Sequence, residues 1–152
     1  MRLKIGHSVV ALVVIITLIY SCSTIPDCRN EIEYNAIVVK FYTVTDSALT
    51  AIKFDSIKAV NTDSIFYLGD SISTYELILD PSMNQSTFMF YQGNSAESLA
   101  VNYARNISII SEECGPLLLF SELQIESYSF DSVELISSSL DQSNSENIEI
   151  YF

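Results

Sequence analysis

Apolar residues recur along this chain in two ways: one unbroken run near the start, then a succession of short alternating stretches. The run is Val9 to Cys22, VVALVVIITLIYSC. Beyond residue 34 the spacing is that of strands, and no window carries a 3.6-residue stripe. Ile37-Val38-Val39-Lys40-Phe41-Tyr42 is apolar on both faces, as a strand in the middle of a sheet would be. Ile57 to Val60 and Ile65 to Leu68 are short strands separated by Asn61-Thr62-Asp63-Ser64. Tyr75, Leu77 and Leu79 alternate with outward positions and stop at Asp80-Pro81. Phe88 to Tyr91 and Leu99 to Tyr103 flank Gln92-Gly93-Asn94-Ser95, a hairpin signal. Ile107, Ile109 and Ser111 form the next face, ahead of a corner at Cys114-Gly115-Pro116. A long stretch from Leu117 to Phe130 follows, and Val133 to Ser137 is placed to pair back on it. A polar loop, Ser138 to Asn147, leads to the last strand, Ile148 to Phe152. The pattern predicts an all-β domain over residues 34–152. Its expected form is an antiparallel β-sandwich of Greek-key, Ig-like type with eight or nine short strands.

The unbroken run has a different meaning. About 14 apolar residues are too few for the roughly 20 that cross a bilayer, but they suit the core of a signal peptide. Arg2 and Lys4 supply its positive start, and Ser21 is the small residue a signal peptidase needs before its cut. Ile19-Tyr20-Ser21-Cys22 reads as a lipobox. On this reading residues 1–21 are removed, Cys22 carries lipid, and residues 22–33 are a short tether to the membrane. An uncleaved anchor and a secretory signal cut elsewhere are the alternatives. Ser23 after the cysteine points to the outer membrane, and the lack of an acidic run beside the anchor favours its periplasmic face. The alternation that closes on Phe152 is similar to the last strand of an outer-membrane barrel. Such barrels need strands of about 9–11 residues, however, and many stretches here are shorter.

Charge and cysteine count then narrow the partners. Two of the seven Lys and Arg lie in residues 1–21, so a cleaved chain sets five basic residues against 19 acidic ones, a net charge of −14. That surface repels nucleic acid and anionic headgroups, so the expected membrane link is the lipid on Cys22. With Cys22 taken by lipid, Cys28 and Cys114 remain as an even pair in an exported protein, and a Cys28–Cys114 disulfide is expected. The alternative is two separate thiols.

Little catalytic chemistry survives inspection. Gly69-Asp70-Ser71-Ile72 is similar to the Gly-Asp-Ser block of one esterase and lipase family, whose serine needs a base, normally histidine. The one histidine is His7, inside the expected signal peptide. The block is therefore read as a turn. Lack of histidine also removes most transition-metal sites, so no metal or other cofactor is expected, and the domain is read as non-catalytic. A carboxylate pair for glycoside hydrolysis stays open, since acids are plentiful and their separation is not visible in sequence. Five Asp-Ser steps precede a small or aliphatic residue, with serines Ser47, Ser56, Ser64, Ser71 and Ser132. Asp and Ser form turns with their own backbone, and a β-branched residue then opens a strand. The same tripeptide is similar to the O-glycosylation acceptor of Bacteroidota envelope proteins. Tyr67, Tyr75, Tyr91, Tyr103 and Tyr128 would mark a glycan- or protein-capturing surface if they clustered outside the core; otherwise they are core and strand-pair residues.

Several of these stretches occur together, in order. Cys22 and Cys28, Val38-Val39-Lys40-Phe41-Tyr42, the Asp-Ser-Ile turns, Ser111-Glu112-Glu113-Cys114-Gly115, Asp131-Ser132-Val133 and Asn147 to Phe152 resemble an envelope lipoprotein family of Bacteroidota, the domain-of-unknown-function family 6452. The resemblance implies a lipoprotein and supports the Cys28–Cys114 pairing. It brings no activity and no catalytic residues.

Overall fold

A computed structural model describes residues 36–60, 65–67, 69–111, 115–140 and 146–152. Among these the chain forms eleven strands and no helix. They are β1 (Ala36–Tyr42), β2 (Ile52–Lys53), β3 (Ser56–Ala59), β4 (Ile65–Tyr67), β5 (Ser71–Ile72) and β6 (Thr74–Ile78). Then come β7 (Gln85–Gln92), β8 (Ser95–Ser111), β9 (Gly115–Tyr128), β10 (Ser132–Leu135) and β11 (Ile148–Tyr151). One sheet has the order β10-β11-β1-β6, the other β4-β3-β7-β8-β9, and β2 with β5 makes a small ribbon.

The two large sheets pack face to face, as the alternation predicts. Ile37, Val39 and Phe41 of β1, Leu77 of β6 and Ile148 and Ile150 of β11 meet Ile57, Phe88, Phe90, Leu99, Val101 and Leu123 of the other sheet in one core. Aromatic rings join the layers: Phe41 and Phe90 lie 6.2 Å apart edge to face, and Phe130 bridges Phe90 and Phe152 at 5.2 Å each. Edge-to-face contacts suit the ring quadrupoles as well as the burial.

The hairpin at Gln92–Ser95 forms as expected, between β7 and β8. Gly93 takes a φ of 57°, and Asn94 does not take a positive φ, the backbone of a type II′ turn that favours glycine at its first central position. Gly69 also has a positive φ, 91°, so the Gly-Asp-Ser block is a bend leading into β5, where Ser71 pairs with Lys53. Three Asp-Ser steps behave as predicted: Ser56, Ser71 and Ser132 each open a strand.

Four features differ from the sequence reading. The strands number eleven, because the short β2 and β5 carry too few residues to show periodicity. Leu99–Tyr103 and Ile107–Ser111 are one strand of 17 residues, not two; the polar Arg105-Asn106 step sits within continuous pairing to β9. β10 does not fold back on β9. It crosses to the other sheet and pairs with β11, which carries Val133 into the core beside Ile150. Finally, β11 lies parallel to β1, Val39 opposite Ile148 through Tyr42 opposite Tyr151, within an otherwise antiparallel arrangement.

The ends of the sandwich differ in construction. At the Ala36 end, Ala36 pairs with Ile78, and the turn after Leu79 leads into β7. Tyr103 ties this turn to β8: its hydroxyl donates to the Asp80 carbonyl at 2.8 Å and meets the Ser86 hydroxyl at 2.9 Å. Arg105 adds a bond to the Pro81 carbonyl at 2.9 Å. Beyond Arg105 the paired strands β8 and β9 run on past this turn as a two-stranded arm, from Asn106 opposite Leu119 to Ser111 opposite Gly115.

Candidate functional site

Strand alternation that buries Ile37, Val39 and Phe41 sends Lys40 and Tyr42 to the outer face of their sheet. On β11 the same rule buries Ile148 and Ile150 and turns out Glu149 and Tyr151. Parallel register then sets Tyr42 beside Tyr151 and Lys40 beside Glu149, while antiparallel pairing sets Glu134 beside Glu149 and Ser132 beside Tyr151. The tyrosine rings stack with centroids 5.5 Å apart and planes 29° from parallel.

Carboxylates hold both phenols. Tyr42 donates to Glu146 at 3.2 Å, and the Lys40 ammonium pairs with the other oxygen of Glu146 at 3.1 Å. Tyr151 donates to Glu149 at 2.6 Å. Burial, then the negative charge of Glu146, pushes the Tyr42 phenol up to about 12. For Tyr151 the hydrogen bond to Glu149 comes first and burial second, again raising it to about 12. Both phenols therefore remain neutral donors at any ordinary pH. The face offers an apolar ring surface, hydrogen-bond acceptors and one ammonium.

These shifts have a sign that can be checked. A phenol whose folded pKa exceeds its ordinary 10 stabilises the fold fully below pH 10, and that contribution fades as pH rises toward 12. Titration followed by phenolate absorbance is expected to show two tyrosines ionising near 12. In Glu149→Gln, Tyr151 is expected to ionise earlier, because its charged partner is gone; an unchanged late titration would refute the assignment.

The predicted site residues are scattered. Tyr103 is buried in the core, Tyr75 is half-buried, Tyr91 sits under the Lys58 ammonium at 5.3 Å, and Tyr128 is exposed on β9. The side chain of Tyr67 lies outside the described residues. No cluster forms among the four that are described; the aromatic pair is Tyr42 and Tyr151, which sequence reasoning missed. The signal was present in Lys40-Phe41-Tyr42 and Glu149-Ile150-Tyr151, where a tyrosine and a charge share the polar face. Of the serines, Ser47 and Ser71 are exposed and Ser56 and Ser132 half-buried, on separate parts of the surface, while Ser64 lies outside the described residues. Asp46 accepts from the Ala48 amide at 3.2 Å and from Thr43, the self-bonded turn expected of an Asp-Ser step. Cys22, Cys28 and Cys114 also lie outside the described residues.

A groove of about 490 Å³ opens at the opposite end, where β3 and β7 approach the end of β6. Val60, Ile78, Pro81 and Met83 line it, with Asp80 and Thr87 on the rim. Asp80 accepts from the Ser82 hydroxyl at 2.6 Å and from the Ser82 amide at 2.8 Å, which holds its carboxyl below the usual range. The groove and the tyrosine platform are separate surfaces. Among the described residues no group of three or more His, Cys, Asp or Glu side chains is placed to hold a metal ion, and no helix is long and apolar enough to cross a membrane.

Comparison with known proteins adds one match. The model of a family of unknown function, DUF6452, matches residues 55–152, more than half of the chain, from the start of β3 through β11. No curated protein and no solved structure matches.

Proposed function

This chain belongs to the DUF6452 family, and from that premise we propose that it is a lipid-anchored envelope lipoprotein of Bacteroidota type whose β-sandwich is a non-catalytic binding or structural module. One observation carries the reading: a basic start and an apolar run that end in Ile19-Tyr20-Ser21-Cys22. Cleavage before Cys22 leaves the lipid on the first residue, and three acyl chains exceed the two signals that stable anchoring needs. The anchor is assigned to the outer membrane, with the domain on its periplasmic face. The partner is an envelope protein or a glycan, and the outer face around Tyr42 and Tyr151 is the surface best furnished to meet it.

The even pair left once Cys22 carries lipid supports a Cys28–Cys114 disulfide in an exported protein; both cysteines lie outside the described residues. The serines of the Asp-Ser steps are proposed O-glycosylation acceptors, with Ser47 and Ser71 the most accessible.

Fractionation of the native envelope tests the anchor. The protein is expected in the membrane fraction, with an N-terminal peptide that begins at a triacylated Cys22 and with hexose-sized mass increments on the Asp-Ser serines. Cys22→Ser is expected to abolish the acylated peptide. Recovery of a chain that retains residues 1–21, or that starts elsewhere without lipid, would overturn the reading.

A further inference from the structure

The outer face of the β10-β11-β1-β6 sheet sets an aromatic ring beside two carboxylates that repel each other. Tyr151 stacks on Tyr42 from one side, with centroids 5.5 Å apart. On its other side, across β10, the register places the small side chain of Ser132. Two residues along the same face, a step of about 7 Å of strand, Glu134 stands directly opposite Glu149. Like charges opposite each other on a sheet are destabilising. Nothing described relieves this pair by charge: Glu149 accepts from the Tyr151 hydroxyl, and the Lys40 ammonium is paired with Glu146. Among the described residues no ammonium or guanidinium makes an ion pair with Glu134 or Glu149. Glu134 is exposed and close to the ring. After the hydrogen bond to Glu149, burial and the charge of Glu149, the charge of Glu134 adds to the rise of the Tyr151 phenol.

We infer that this face docks a basic segment of a partner protein, with an arginine guanidinium laid on the Tyr151 ring and forked onto Glu134 and Glu149. This occupant rests on the reading of the face as a binding surface, proposed above, and narrows its partner from a protein or a glycan to an arginine-bearing strand or loop. Charge complementarity selects it. Glu76, Glu134, Glu146 and Glu149 share the face with one ammonium, that of Lys40. The cleaved chain as a whole is also strongly acidic, so a basic partner is drawn in from a distance. A guanidinium gains from the ring and from both carboxylates at once. Side chains directly opposite on a sheet have Cβ atoms about 5 Å apart, close enough for two carboxylates to hold one planar fork. A lysine ammonium is a point charge and cannot make that fork. A neutral sugar uses the ring and the acceptors but leaves the repulsion between Glu134 and Glu149 in place.

Amide NMR titration of the mature protein with defined probes tests this. The probes are the peptide Gly-Arg-Gly-Arg-Gly, its lysine counterpart and neutral maltoheptaose, in salt of about 0.15 M to screen long-range attraction. The arginine peptide is expected to shift the amides of Glu134, Glu149 and Tyr151, and to bind roughly fivefold more tightly than the lysine peptide. Glu134→Gln/Glu149→Gln and Tyr151→Ala are each expected to weaken it roughly tenfold, while Tyr151→Phe keeps the ring and the binding. Glu122→Gln/Glu126→Gln removes the same charge from β9 in the other sheet and is expected to leave the affinity unchanged. Unshifted core amides in each variant control for folding. Equal affinity for the two peptides, or an equal loss from the β9 change, would mean that charge alone is read and would overturn the arginine site. Shifts at these amides with maltoheptaose and none with the arginine peptide would overturn it while leaving the face a binding surface. No shift at this face with any probe would overturn both. A hexose found on Ser132 of the native protein would fill the space beside Tyr151 and overturn the arginine site alone.

Discussion

Phe41→Ala is expected to cost about 3–5 kcal/mol, the usual range for removing a phenylalanine ring from a packed core. Phe41 is fully buried and contacts Phe54 at 5.2 Å, Phe152 at 5.9 Å and Phe90 at 6.2 Å. These partners come from β7, from the residue after β2 and from the residue after β11, so the ring on β1 is a junction between the two sheets. Truncation leaves a cavity whose walls are rings fixed by each other, and they cannot collapse inward without breaking further edge contacts. A domain of this size is typically stable by about 5–15 kcal/mol in all, so the variant would sit near the folding threshold. Urea denaturation checks this: the midpoint should fall sharply with the slope unchanged. Phe41→Leu keeps much of the volume and should cost less than half as much. Equal losses for the two variants would mean that ring contacts do not govern the site.

Asn147→Ala is expected to cost about 2–3 kcal/mol, a large amount for a polar residue, because it strands a buried donor. Asn147 has no exposed surface. Its Oδ1 accepts from the Val38 amide at 2.9 Å, and its Nδ2 donates to the carbonyls of Ser139 at 2.8 Å and Ser137 at 3.3 Å. Its backbone amide donates to the Val38 carbonyl at 2.8 Å, so one residue satisfies both backbone groups of a buried strand position. Alanine keeps the backbone bond and loses the other three. Asn147→Asp separates acceptor from donor: it retains the bond from Val38 but sets a charge against two carbonyls in a buried site. Its folded pKa would be raised, so its neutral form is the tolerated one. The defect should therefore be largest at neutral pH and shrink on acidification toward the ordinary aspartate range near 4. Denaturation midpoints at pH 7 and pH 4.5 test this; a pH-independent defect would refute the bonding scheme.

How much of this was legible depends on how local each determinant is. β1 could be read because its buried faces leave a continuous apolar run, and the β7–β8 hairpin because a glycine with positive φ marks its turn. The long β8 was split in reading because Arg105 and Asn106 interrupt the apolar pattern, yet backbone pairing to β9 does not depend on side-chain polarity. Asn147 read as the end of a polar loop; its value comes from Val38, 109 residues away, and no local pattern encodes that. The Tyr42–Tyr151 platform was missed for the same reason. Each half has a simple alternation, but the pairing that brings them together joins strands from near the two ends of the domain. The crossing of β10 to the other sheet was likewise not decidable from Val133 alone, since a buried valine would suit a hairpin on β9 equally well.

That parallel pairing of β1 with β11 has a consequence for the order in which the domain can be made. Of the described strands β1 is the first to emerge, and it lies between β6 and β11 in its sheet. Its partner β6 emerges early, but the partner on the other side is β11, the last of the described strands. Until residues 147–151 emerge, one edge of β1 and the amide of Val38 have no native neighbours to bond. The contacts that close this sheet have the longest sequence separation in the domain, and such contacts form slowly. A nascent chain of this protein therefore keeps this sheet open until residues 147–151 have emerged, and then closes it on β11.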